Sequence, residues 1–155
     1  MLRYGRKRLR KKKKTTERKL AMAKTKRIII AILGCDAQGR GTDTVAHALR
    51  DAGMEVIYLR NETPEGVVHA ALQEDADVIG LSSFSGNHMA LAPEVMRRLR
   101  AAGAGDIAVL LSGTIPPQDT AALKAFGILE VFTAETSPKE IVAFIADIEH
   151  AGSER

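Results

Sequence analysis

Three short polar segments contain the side chains best suited to chemistry, and each follows an apolar, β-branched run. The first runs from Gly34 to Gly41 and carries a thiol, a carboxylate, an amide and a guanidinium; the others are Ser82-Ser83-Phe84 and Ser112-Gly113. The glycines of the first segment let the backbone approach a large ligand closely. Their positions, 34, 39 and 41, do not match the GxGxxG dinucleotide fingerprint, and no Lys-Ser/Thr pair completes a phosphate-binding loop. The segments therefore predict a ligand site of another kind.

Composition and local sequence exclude several other kinds of site. Cys35 is the only cysteine, which rules out an internal disulfide, a zinc finger and a cysteine-ligated iron–sulfur cluster. A phospho-acceptor receiver domain needs an aspartate where this chain has Ser82-Ser83. A flavin site would need flanking aromatic rings, but aromatic residues make up 4% of the chain and Phe84 alone stands in these segments. We interpret His88 as a histidine with a local hydrogen bond at the start of a helix.

The elements that position the three segments alternate regularly from residue 27 onward. Apolar runs predict strands at 27–33, 54–59, 77–82, 107–112 and 129–133, and amphipathic segments predict helices at 42–52, 64–75, 89–102, 118–126 and 137–149. Near-continuous apolar strands are typical of a parallel sheet covered on both faces. We predict an α/β, flavodoxin-like (Rossmann-like) three-layer sandwich with a five-stranded parallel sheet in the order 2-1-3-4-5. In such a sheet ligands bind at the carboxyl ends of strands 1 and 3, where the strand order reverses.

Charge divides the 155 residues into a basic tail and one acidic domain. Residues 1–27 contain 14 Lys and Arg against the single acidic residue Glu17. We expect a basic, disordered tail over 1–26, one domain over 27–150 and a short tail over 151–155. The basic tail is either merely solvated or contacts a polyanion, or else translation starts naturally at Met22. No apolar run is long enough to span a bilayer, so we expect no membrane insertion and a cytoplasmic protein.

The same segments carry a family resemblance that covers about four-fifths of the chain. The stretch from Arg27 to about Ile148 resembles the cobalamin-binding domain of methylmalonyl-CoA mutase and its relatives, some of which are separate small subunits. Family members read DxHxxG after strand 1, SxL after strand 3 and GG after strand 4. The corresponding residues here are Asp36-Ala37-Gln38-Gly39-Arg40-Gly41, Ser82-Ser83-Phe84 and Ser112-Gly113.

The resemblance implies a cofactor, a partner and a set of contacts. The cofactor would be cobalamin in its adenosyl form, and the partner a substrate-binding large subunit of an acyl-CoA mutase; the chain alone would be catalytically silent. The cofactor-binding residues implied by position are Asp36, Gln38, Arg40, Gly41, Ser82, Phe84, Ser112, Gly113 and Thr136. The counterpart of Ser82 hydrogen-bonds the displaced nucleotide base in the family.

Gln38 is the main departure from the family pattern. It occupies the position of the histidine that ligates cobalt, so we expect no metal ligand from this chain. An amide oxygen is a harder and weaker ligand than an imidazole nitrogen, and Asp36 would hold that amide rather than tune an imidazole. Ser112 and Glu135 replace family glycines, and both are expected to add bulk where the nucleotide tail of the cofactor threads.

These departures leave two other functions open. The chain could be a relative that has lost cobalamin and acts as a regulatory or structural partner. It could also be a corrinoid carrier for methyl transfer, although such carriers usually bring a helical cap domain that this chain lacks.

Overall fold

The computed structural model of the protein describes residues 25–34 and 40–150, which contain five parallel strands in one sheet. The strands are β1 (Arg27–Leu33), β2 (Glu55–Glu62), β3 (Val78–Ser83), β4 (Ala108–Gly113) and β5 (Glu130–Phe132). Their order is β2-β1-β3-β4-β5, with every neighbouring pair parallel. The predicted fold class and strand order are confirmed.

Five helices cover the two faces of the sheet. They are α1 (Arg40–Asp51), α2 (Pro64–Gln73), α3 (His88–Ala101), α4 (Thr120–Phe126) and α5 (Pro138–Ala146), with a 3₁₀ turn at Pro117–Asp119 before α4. Helices α2, α3 and α4 pack on one face, and α1 and α5 on the other. None of the helices in the described residues is long and apolar enough to cross a membrane.

Strand β1, which lies between β2 and β3, shows why the sheet is buried on both faces. Ile29, Ala31 and Leu33 point to the layer of α2, α3 and α4, whereas Ile28 and Ile30 point to the layer of α1 and α5. All five side chains are buried. Successive residues of a strand alternate between faces, so a continuous apolar run fits a strand that has helices on both sides.

Strand β2 differs most from the sequence prediction. Its predicted end at residue 59 is wrong, because the strand continues through the polar residues Arg60, Asn61 and Glu62. The pairing with β1 shifts register after Ala31, and the Gly34 amide donates to the Glu62 carbonyl at 3.0 Å. Backbone pairing at the edge of the sheet extends this strand, and such pairing cannot be predicted from a hydrophobic pattern.

Lys26 ties the start of β1 to the end of α5. Its ammonium donates to the carbonyls of Ile145 at 2.8 Å, of Ala146 at 3.0 Å and of Ile148. Carbonyls at a helix carboxyl end lack helical partners and carry partial negative charge, which favours a cation there.

Lys26→Ala is expected to lower the free energy of unfolding by about 1–2 kcal/mol, since it removes charged hydrogen bonds to these carbonyls. Urea denaturation measures the change. Lys139→Ala is the matched control, because Lys139 is an exposed lysine in the first turn of the same helix. Equal stability of the two variants would show that Lys26 does not hold α5.

Candidate functional site

A cavity of about 380 Å³ lies between the sheet and the helices α1 and α5. Its apolar walls come from strands β1, β4 and β5 and from the two helices, through Ile30, Val45, Leu110, Phe132, Ile141 and Ile145. Its polar side chains are all hydroxyls, from Thr42, Thr44, Ser82, Ser112, Thr114, Thr133 and Thr136. No charged side chain is among the described residues that line it. The cavity therefore suits a neutral, largely apolar group with a few hydrogen-bonding atoms.

The structure brings six of the nine predicted binding residues to this cavity. Those lining it are Gly41, Ser82, Phe84, Ser112, Gly113 and Thr136. Arg40 is the first residue of α1. Asp36 and Gln38 lie outside the described residues, so their predicted contacts stay predictions. The cavity lies at the carboxyl ends of β3, β4 and β5, and β1 contributes Ile30 from its middle.

Three hydroxyl groups form a row across one wall of the cavity. Thr42 Oγ1 donates to Ser82 Oγ at 3.1 Å, and Ser82 Oγ lies 3.2 Å from Ser112 Oγ. Thr42 and Ser82 are buried, with 6% and 3% of their surface exposed. We call Thr42, Ser82 and Ser112 the hydroxyl row. It connects α1, β3 and β4 in a buried setting where an unpaired hydroxyl would be costly.

Thr42 is the member of the row that sequence reasoning missed. It lies on α1, where Val45, Ala46 and Leu49 point inward. These residues follow Thr42 by three, four and seven positions. That spacing places it on the core-facing side of the helix. A polar residue on an apolar helical face was the signal that could have identified it.

Gly113 is required by a close approach between β4 and β3. Its φ of +127° lies in a region that side chains disfavour, and an added Cβ would stand 1.9 Å from the Ser83 carbonyl oxygen. A glycine at this position lets β4 end against β3 beside the cavity. This close approach of the two strands explains the glycine, and no ligand is needed to explain it.

Helix α1, which forms one wall of the cavity, is attached to β2 by a polar cluster. Arg60 Nη2 donates to Asp43 Oδ1 at 3.0 Å, and the Arg60 guanidinium lies 5.0 Å from the centre of the Tyr58 ring. Burial and the neighbouring Asp43 carboxylate raise the pKa of Tyr58 to about 12. Tyr58 therefore stays neutral throughout the physiological range, and the pair of Arg60 with Asp43 holds the first turn of α1 against the edge strand.

His88 forms a buried contact away from the cavity. It begins α3 as predicted, but the expected local hydrogen bond is wrong, because its Nε2 pairs with Asp119 Oδ2 at 2.7 Å. Only 4% of His88 is exposed. The pair joins the start of α3 to the 3₁₀ turn that follows β4. A contact 31 residues apart in sequence has no local signature.

Glu135 does not add the bulk that the sequence suggested. It is exposed and is not among the residues that line the cavity, unlike its neighbours Ala134 and Thr136. Ser112, by contrast, lines the cavity. Within residues 25–34 and 40–150, no three side chains of His, Cys, Asp or Glu come together in a way that could hold a metal ion.

Comparisons with known proteins agree with this geometry. Residues 26–143 match the family described as the B12 binding domain. The chain is 42% identical over 123 residues to the 2-hydroxyisobutanoyl-CoA mutase small subunit of Aquincola tertiaricarbonis, covering 79% of this chain and 90% of that one. It is 44% identical over 117 residues to the pivalyl-CoA mutase small subunit of Xanthobacter autotrophicus, covering 75% and 78%. Bovine methylmalonyl-CoA mutase is 36% identical over 125 residues, which span 79% of this chain but 17% of that protein.

Solved structures show the same fold. A cobalamin-binding protein from Desulfitobacterium hafniense matches with a TM-score of 0.69 at 18% identity, over 79% of this chain and 58% of that one. The receiver domain of the response regulator NarL from Mycobacterium tuberculosis matches with a TM-score of 0.64 at 17% identity, over 80% and 95%. At these identities the likeness concerns the fold alone.

The family match extends over most of the chain. The cavity lies at the carboxyl edge of the sheet, where parallel α/β folds generally bind their ligands. The predicted resemblance is confirmed: this chain belongs to the B12-binding domain family.

Proposed function

We propose that this chain is the small, cobalamin-binding subunit of an adenosylcobalamin-dependent acyl-CoA mutase. The observation that carries the proposal is the cavity between the sheet and helices α1 and α5, which is lined by six residues expected from the family pattern. Identities above 40% to two mutase small subunits, over most of their length, favour this function over a relative that has lost its cofactor.

The cavity fits the neutral part of the cofactor's nucleotide tail. Its apolar walls suit a flat heterocyclic base, and its hydroxyls suit the few polar atoms of a base and a ribose. The lining carries no cation for a phosphodiester. The negative charge of the tail would therefore stay outside the cavity, where water can solvate it.

The residues of the site would bind and orient the cofactor and would not react with it. The hydroxyl of Ser82 would hydrogen-bond the base, and Gly41 and Gly113 would allow close approach to their backbone. When bound, adenosylcobalamin supplies a radical by homolysis of its cobalt–carbon bond. Gln38, at the usual histidine position, would leave the cobalt without a protein imidazole.

A second subunit would provide the substrate site. The described residues form one sheet with its five helices, and their cavity is filled by the proposed tail of the cofactor. A separate large subunit would therefore hold the acyl-CoA, as the words "small subunit" in the names of the two relatives suggest.

Titration calorimetry with adenosylcobalamin tests the proposal. We expect one cofactor to bind per chain, with the red colour retained through gel filtration. The chain alone should not isomerise acyl-CoA substrates. Absence of both heat and retained colour, from a protein that unfolds cooperatively, would contradict the proposed function.

A further inference from the structure

Ser82 lies in the middle of the hydroxyl row and has a hydroxyl neighbour on each side. Thr42 Oγ1 donates to Ser82 Oγ at 3.1 Å, whereas the bond of 3.2 Å between Ser82 Oγ and Ser112 Oγ can run in either direction. A hydroxyl has one hydrogen to donate and two lone pairs that accept. Because Thr42 uses one lone pair of Ser82, the hydrogen of Ser82 points either to Ser112 or into the cavity, and not toward Thr42.

A nucleotide base with an acceptor nitrogen completes this arrangement. The dimethylbenzimidazole base of cobalamin, once attached to its ribose, has one nitrogen lone pair and no N–H group, so it can only accept. When Ser82 donates to that nitrogen, its two lone pairs can accept from Thr42 and from Ser112, and no bond of the row is lost. A hydroxyl that itself accepts hydrogen bonds is also a stronger donor, because linked hydrogen bonds polarise one another.

We propose that Thr42 is a positioning residue for the nucleotide base of the cofactor and that it acts through Ser82. By donating to Ser82, Thr42 turns the hydrogen of that hydroxyl away from α1 and makes it available to the base. Thr42 contributes to binding without bonding the base itself. This inference rests on the proposed function, because Ser82 is the residue expected to hydrogen-bond the base.

Burial makes the Thr42 hydroxyl hard to replace. Thr42 and Ser82 are both buried, so water does not readily take the place of a hydrogen bond lost between them. Without the Thr42 hydroxyl, one lone pair of Ser82 loses its partner, and the hydrogen of Ser82 is free to rotate away from the base. The Ser82 donor is then both less well oriented and less polarised.

A double-mutant cycle on Thr42 and Ser82 tests the inference. Calorimetry measures the dissociation constant of adenosylcobalamin for the wild type, Thr42→Val, Ser82→Ala and the double variant, and thermal unfolding checks that each is folded. A second cycle uses Thr42→Ala, which is smaller and favours a helix, in place of Thr42→Val. Thr42→Ser keeps the hydroxyl and tests for rescue. Thr120→Val is the matched control, because Thr120 is partly exposed on α4 and lies outside the cavity lining.

We expect Ser82→Ala to weaken binding about tenfold, and Thr42→Val to weaken it about fivefold when Ser82 is present but less than about twofold in the Ser82→Ala background. Thr42→Ser and Thr120→Val should stay within about twofold of the wild type.

A structural defect at Thr42, or a direct contact of Thr42 with the cofactor, would weaken binding equally in both backgrounds. That result, a loss in Thr42→Ser as large as in Thr42→Val, or undiminished binding by Thr42→Val or Ser82→Ala would overturn the inference while the proposed function stands. Failure of the wild type to bind adenosylcobalamin would overturn the two together.

Discussion

Gly113→Ala is expected to lower the free energy of unfolding by about 2–5 kcal/mol. Two costs add. The φ of +127° disfavours any side chain, and the new Cβ would stand 1.9 Å from the Ser83 carbonyl oxygen and 2.8 Å from its carbonyl carbon. Ser83 is fully buried in β3, so the contact is relieved only by separating two paired strands of the sheet. Urea denaturation followed by circular dichroism measures the loss.

Gly105→Ala is the matched control for this substitution. The nearest atom to an added Cβ at Gly105 is Arg100 Cγ at 3.7 Å, which is an ordinary contact, and Gly105 is exposed. The free energy of unfolding of the Gly105→Ala variant should stay within about 0.5 kcal/mol of that of the wild type. If Gly113→Ala were as stable as Gly105→Ala, the close approach of β4 to β3 would not be a requirement of the fold.

Gly41→Phe is expected to weaken adenosylcobalamin binding about 100-fold or more without lowering stability. Gly41 is exposed at the edge of the cavity, and among the described residues no atom outside its own stretch of helix lies within 4 Å of an added Cβ. The ring of a phenylalanine at this position would occupy space that the cofactor would use. Phenylalanine also has a higher helix propensity than glycine, so α1 should not lose stability. Calorimetry measures affinity, and thermal unfolding measures stability.

The same aromatic substitution at Gly105 provides the control for Gly41→Phe. Gly105 is exposed and lies outside the cavity lining. Gly105→Phe should therefore bind adenosylcobalamin like the wild type. Undiminished binding by Gly41→Phe would place the cofactor somewhere other than this cavity.

The positions of most strands and helices could be predicted because they follow from local patterns. The run Arg27–Leu33 is apolar on both faces, and Thr63-Pro64 and Ser137-Pro138 mark helix starts that the structure shows as capped. Those features depend on a few adjacent residues. Helix α5 nevertheless ends at Ala146, before the predicted residue 149. Helix ends are weakly encoded, because the last turn can fray without a large loss of energy.

The site was predictable only where its residues belong to a continuous motif. Ser82, Ser112 and Gly113 lie at the carboxyl ends of their strands and line the cavity there. Thr42 and the pairing of His88 with Asp119 depend on distances between segments remote in sequence. The outward position of Glu135 likewise reflects the path of a turn, which the residue types alone do not specify.

The central claim is that this chain binds cobalamin without placing a histidine on the cobalt, and electron paramagnetic resonance of reduced, paramagnetic cobalamin bound to the protein tests it most directly. Nitrogen from either the cofactor's own base or a protein imidazole splits the spectrum, so the protein is prepared with ordinary and with ¹⁵N-labelled histidine. We predict stoichiometric binding and identical spectra for the two preparations, because we expect Gln38 to occupy the position of the family's ligating histidine. A splitting pattern that changes with the histidine label, or a spectrum of unbound cofactor, would contradict the account.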